Sequence, residues 1–200
     1  MTTTKKTTTK KTTVKTVKTK ASPIPNLPNN PFTFEVLDAA SKQRTKAKKV
    51  EVLQKYKHPS LITIFVWNFD TSIISLLPEG EVPYGNFEDD ANTTGTLTTK
   101  VSLQVRKMHE AGSFSMGSSD KQGHTTIRRE AKNFYRFIRG GQDSLSNLRR
   151  ETFFINILEG LHPLEAEVLI LVKDKRLEEQ YNISKEIVSL AFPDIIWGDA

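Results

Sequence analysis

Apolar residues recur at helical spacing through most of the chain, yet they are almost absent from its first 31 positions. In "TFEVLDAASKQRTKAKKVEVLQKYK", Phe34, Leu37 and Ala40, then Val50, Leu53 and Tyr56, keep one apolar stripe. "HPSLITIFVWNF" opens with Pro59, which suits a first helical turn because its missing N–H has no partner to lose there. Asp70 can cap a short helix over "TSIISLL", which Pro78 and Gly80 stop. A polar helix is predicted from about Leu97 to Ala111. In the last third, "TTIRREAKNFYRFI" sets Ile127, Ala131, Phe134 and Ile138 on one face, and Gly140-Gly141 end it. "DSLSNLRRETFFINILEG" repeats the design with Leu145, Leu148, Ile155 and Leu158 inward. "PLEAEVLILVKD" follows, and its run 168–172 is apolar on nearly every side, the mark of a central, enclosed helix.

No strand pattern competes, so the expected class is all-α: a small irregular multi-helix domain over 32–200. Its core should hold Phe153, Phe154, Leu158, Leu161, Val168, Leu169 and Leu171. Trp67 and "SLL" should close one end, and Phe192, Ile195, Ile196 and Trp197 the other.

The polar stretches change this picture at the N-terminus. "MTTTKKTTTKKTTVKTVKTK" repeats Thr-Thr-Thr-Lys-Lys and then degrades; it cannot bury apolar surface and its like charges repel, so a disordered basic tail is expected. "ASPIPNLPNNP", with four prolines in eleven residues, reads as a stiff linker that completes the segment 1–31. Residues 78–95 carry five acids and no base, and 88–123 read as a flexible polar insertion in the domain.

Charge follows the same division. The formal net charge is +6, but all seven lysines of 1–31 lie where there is no acid. Removing those seven from the 29 basic residues leaves 22 against 23 acidic ones, a net of −1 for 32–200. The basic character belongs to the tail. No cysteine is present, which excludes disulfides, thiol catalysis and thiolate metal sites. The longest strongly apolar stretch, "LITIFVW", is far below the ~20 residues that span a bilayer, and no secretory signal is legible. A soluble, intracellular protein is expected.

Catalytic and metal-binding patterns fail one by one. His58, His109, His124 and His162 show no metal-ligand spacing, and His58 and His162 each precede a proline, where a capping role is the better reading. "GSFSMGSS" has the glycine spacing of a phosphate loop but Ser118 where the lysine must stand. Asp90, Asn92, Thr94 and Gly95 fit the start of a calcium loop, but its twelfth place is Val101 where a bidentate Glu is required. The pairs Glu165/Glu167 and Asp89/Asp90 read as surface carboxylates. No catalytic residue, metal or cofactor is expected, and an enzyme is unsupported.

Two features bear on nucleic acid. "LEEQYNISKEIVSLAF", residues 177–192, has the helix–turn–helix pattern: Leu177, Tyr181, Ile183, Val188 and Ala191 at burying offsets, Asn182 at the turn and Ser184 as a cap. Yet Glu178 occupies the position that a tight crossing wants small, and the second helix offers DNA only Lys185, beside Glu186. A packed helical corner is the better reading. The tail lysines, Lys5, Lys6, Lys10, Lys11, Lys15, Lys18 and Lys20, can neutralise phosphates without reading sequence. Arg128, Arg129, Arg136, Arg139, Arg149 and Arg150 could add a basic surface around two helix starts.

"SIISLLPEGEVPYG", "IRREAKNFYRFIRGG", "SLSNLRRETFFINILEGLHPLEAEVLILVKDKRL" and "YNISKEIVSLAFPDI" together resemble an uncharacterised family of small proteins in T4-like tailed phages, particularly those infecting cyanobacteria. The resemblance implies a phage protein made in the cytoplasm of an infected bacterial host and implies no activity. The expected function is therefore a non-enzymatic phage accessory protein that associates with DNA or RNA, without sequence specificity, through its Lys-rich tail. The alternative is a protein-binding module or minor structural component that acts on a phage or host protein.

Overall fold

The structure, a computed structural model, describes residues 24–83, 95–112 and 123–198. Among these residues the regular structure is helical, as the apolar spacing predicts. The helices are α1 (Thr33–Ser41), α2 (Lys46–Lys55), α3 (Pro59–Phe69), α4 (Leu97–Ala111), α5 (Ile127–Glu130), α6 (Asn147–Gly160), α7 (Pro163–Lys173), α8 (Leu177–Tyr181) and α9 (Lys185–Ala191). The Thr/Lys tail lies outside the described residues.

Helix α7 is the axle. Pro163 sits in its first turn, and His162 Nδ1 accepts the Leu164 N–H at 3.3 Å. Val168, Leu169 and Val172 are fully buried, because α1, α3, α4, α6 and α8 all pack around this helix. Helix α3 starts the same way: Pro59 is in its first turn, and His58 Nδ1 accepts the Ser60 N–H at 3.2 Å. Both histidines cap, as expected.

Helix α4 gains its place through spacing. Leu97, Val101 and Val105, four residues apart, form one buried stripe against α7, while Thr96 caps the start at 3.2 Å and left-handed Gly112 ends the helix. Burying those three side chains contributes roughly 5–8 kcal/mol, before the entropy of ordering the helix is set against it. Of the span read as a flexible polar insertion, 97–111 is thus part of the core; 88–94 and 113–122 lie outside the described residues.

Four local expectations are corrected. Residues 71–77 form no helix; they run extended, with Ser75 bridged to Ile138 and Leu76 N donating to Phe137 O at 2.8 Å. Asp70 instead turns its carboxylate to Ser72 and to the Gly198 N–H. Residues Ala131–Phe137 continue α5 as a 3₁₀ helix, which brings Phe134 and Phe137 together against Trp67. Leu148 is 76% exposed, since Phe154, Ile157 and Leu158 take the inward face of α6. Trp67 closes one end as expected; at the other, Phe192 is buried but Ile196 is 92% exposed.

Residues 24–31 lie against the domain. Tyr56 holds them, its hydroxyl accepting from Leu27 N at 2.8 Å and donating to Pro25 O at 2.9 Å.

Candidate functional site

The chemistry of this domain gathers on α7, at two carboxylates two residues apart. Glu165 stands in the first turn and is 1% exposed. Its Oε1 accepts the Thr33 N–H at 2.9 Å and its Oε2 the Ile127 N–H at 2.8 Å. Those are the first residues of α1 and α5, so one carboxylate caps two other helices while sitting at the positive end of its own. Burial pushes its pKa up, against the pull of these donors, the Thr33 hydroxyl and Arg128.

Glu167 faces the other way, into a cleft of about 570 Å³. The floor is α7 with Leu164 and Glu167; one wall is α1 with Phe34, Glu35, Asp38 and Lys42. His109 of α4, Tyr181 of α8 and the docked Pro25 and Leu27 complete it. Glu35 is partly engaged, since its Oε2 accepts Phe32 N at 2.8 Å, and Asp38 pairs with Lys42 at 2.6 Å. Glu167 Oε2 is buried and meets no donor. Burial pushes the Glu167 carboxyl up, with His109 pulling against it. Burial, followed by the charges of Glu167, Asp38 and Glu165, pushes the Tyr181 phenol far above its usual range, so it stays protonated. The expectation that Glu165 and Glu167 are surface carboxylates is corrected for Glu165, which is buried; Glu167 is half-buried, with only its Oε2 wholly covered.

The predicted basic surface is only partly assembled. Lys5, Lys6, Lys10, Lys11, Lys15, Lys18 and Lys20 lie outside the described residues. Arg129, Arg139 and Arg149 are exposed, and Arg128 is half-buried with Nη2 on Pro31 O at 3.2 Å. Arg136 lies over the Phe153 ring at 5.0 Å. Arg150 is no surface residue: it is 2% exposed, and its guanidinium donates to Arg136 O at 2.8 Å, Gln142 O at 3.0 Å, Leu145 O at 3.1 Å and Asn147 Oδ1 at 3.0 Å. It ties the loop before α6 to the 3₁₀ helix. Sequence held a signal for this, since Arg150, Phe154 and Leu158 share a helical face.

The 177–192 corner packs as a corner. Asn182 takes the left-handed turn at φ 49°, and Leu177, Tyr181, Ile183, Val188 and Ala191 are buried. Ser184 stands at the start of α9 but makes no capping bond. The outer face of α9 is occupied: Glu186 pairs with Lys46, Lys185 lies over the Trp197 ring at 4.9 Å, and Trp197 Nε1 donates to Ser189 Oγ at 3.0 Å. No helix among the described residues is long and apolar enough to cross a membrane, and no three His, Asp or Glu among them are placed to hold a metal. The calcium-loop and phosphate-loop residues Asp90, Asn92, Thr94 and 113–118 lie outside the described residues.

A family model described as a family of unknown function (DUF6433) matches residues 36–121 and 113–179, which takes in α1, the cleft floor and most of the helices around α7. No curated protein and no solved structure matches the chain.

Proposed function

The chain belongs to the DUF6433 family of unknown function, and we propose that it is a non-enzymatic accessory protein that associates with nucleic acid, without reading sequence, through the lysines of its N-terminal segment. The observation that carries this reading is the segregation of positive charge. Seven lysines and no acid stand in 1–31, and the remainder of the chain has a net charge of −1. Within the domain several cations are committed to backbone carbonyls: Arg150 as above, Lys49 to Asn182 O, Lys173 to Pro78 O at 2.7 Å, and Lys175 to Asp70 O at 2.7 Å. In this reading the first twenty residues offer phosphates a run of positive charge with no acid within it. A phage setting, inside an infected bacterium, is supported by the resemblance of the phrases quoted above.

The test compares the full chain with a full-length variant in which all seven lysines are glutamine, on duplex DNA across a salt series. The full chain should bind with a log–log salt slope of up to about −6, and the variant should lose that binding. Equal binding by the variant would move the contact to Arg128, Arg129 and Arg149. No binding by the full chain at low salt would end the nucleic-acid reading.

A further inference from the structure

We propose that residues 24–28 form a releasable strap, latched on the Tyr56 hydroxyl and hinged at Asn29-Asn30, that sets how far the lysine-bearing segment before it reaches from the domain. The strap stands on its own contacts; only the use of that reach on nucleic acid rests on the reading above.

Burial divides the segment into strap, hinge and anchor. Ile24, Pro25 and Leu27 are half-buried, Asn26, Pro28, Asn29 and Asn30 are exposed, and none of 24–30 is fully covered. Pro31 is buried, and its carbonyl accepts from Arg128 Nη2 at 3.2 Å. Phe32 follows with its N–H on Glu35 Oε2 at 2.8 Å, so the fixed part of the chain begins at 31. The bend at Asn29-Asn30 between them is exposed, and it can turn with little buried surface disturbed.

One hydroxyl makes the latch. Tyr56 closes the last turn of α2, its N–H on Val52 O at 3.2 Å. Its hydroxyl accepts from Leu27 N at 2.8 Å and donates to Pro25 O at 2.9 Å. Ile24 and Leu27 add apolar packing at the edge of the core. Pro25 and Pro28 have fixed φ angles before docking, which lowers the entropy lost on latching. They carry no N–H, so lifting leaves fewer donors to rehydrate. Docking is therefore cheap but shallow, unlike α7, where Val168, Leu169 and Val172 are fully buried. A segment of this kind opens locally, well below the free energy of global unfolding.

The consequence is covalent. Lys20 stands five residues before Pro25 and eleven before Pro31. At about 3.6 Å per extended residue, it lies within about 18 Å of the latched Pro25. Once the strap lifts, the limit becomes about 40 Å from Pro31. Lifting also takes Pro25 and Leu27 out of the cleft wall.

The experiment is native-state hydrogen exchange on the full chain and on Tyr56→Phe, in low denaturant and without nucleic acid. The Leu27 amide should be protected in the parent, yet exchange by an opening that denaturant hardly changes, while Leu169 exchanges only through a denaturant-sensitive one. Tyr56→Phe should speed Leu27 about tenfold and leave Leu169 within about twofold. The chain has no cysteine, so spin labels on Asn26→Cys and Glu51→Cys, both exposed positions, read the reach directly. Their distance distribution should lengthen and broaden when Tyr56→Phe is added. Leu27 exchanging in step with Leu169 would make the segment an integral part of the core and overturn the strap. Unprotected Leu27 in the parent, or Tyr56→Phe leaving exchange or distances unchanged, overturns it equally. None of these readouts needs nucleic acid, so failure of the strap and failure of the nucleic-acid reading are told apart.

Discussion

Glu165 and Glu167 share a helix, a residue type and a direction of pKa shift, but they have opposite situations. Two residues along a helix is a rotation of about 200°, so the two carboxylates leave α7 on opposite sides. Glu165 reaches the starts of two helices, and each of its oxygens receives a backbone N–H. Glu167 lines a cleft, and its buried Oε2 receives nothing. Burial of a charge does not define its role; the supply of donors around it does. Where the fold supplies them the acid is a joint, and where it withholds them the acid is left with an unmet oxygen.

Glu165→Ala is the severest way to break this comparison. It orphans the Thr33 and Ile127 N–H groups, and a loss of about 3 kcal/mol is expected in denaturant unfolding. Glu165→Gln keeps one acceptor but turns an NH₂ group toward a backbone N–H, and should cost about 1–2 kcal/mol. Glu167→Gln should stay within about 1 kcal/mol at pH 7 and lean towards stabilisation, since it neutralises a half-buried acid with one unmet oxygen. A cost for Glu167→Gln as large as that for Glu165→Ala would erase the distinction between a joint and an unmet acid.

The smallest effect is in pH. Both glutamates have folded pKa values above the ordinary 4.5, so their protonated forms suit the folded state better. The stability that follows is complete below 4.5 and is lost as pH rises through the folded values. The advantage of Glu167→Gln over the parent should therefore shrink between pH 7 and pH 4.5, as thermal melts at a series of pH values would show. Asp70 acts in the other direction. Burial raises its carboxyl, but donors from Gly198 and Ser72 outweigh this and hold it below 3.8. Its contribution is present above 3.8 and is lost as pH falls through the folded value.

The sequence made most helices legible because caps and apolar spacing agreed. Pro59 and Pro163, each behind a histidine, marked two helix starts, and the run 168–172 marked the central helix. Residues 71–77 were misread because a short apolar run fits a helix or a strand equally, and its pairing with Ile138 is a tertiary fact. Arg149 and Arg150 look alike in a list of cations, and only the register with Phe154 and Leu158 separates the exposed one from the buried one. The cleft had no local signature at all. Its walls come from positions 25 to 181, brought together by packing around α7. Docking of 24–31 through Tyr56 was equally silent, since a proline-rich segment reads as a linker whether or not it lies on a surface.

The longest ties in the domain also bear on how the chain is made. Thr33 meets Glu165, Lys49 meets Asn182, Gln54 meets Ala191 and Asp70 meets Gly198, so the first three helices are closed by the last ones. A ribosome delivers them in the opposite order of need. With roughly a hundred residues between α3 and α8, and synthesis at about 5–20 residues per second, the nascent α1–α3 waits on the order of 5–20 s for its partners. During that interval Leu37, Val52, Ile64 and Phe65 have no cover from α7, α8 or α9. A chain released early, short of α7, would keep those faces open and be prone to aggregate.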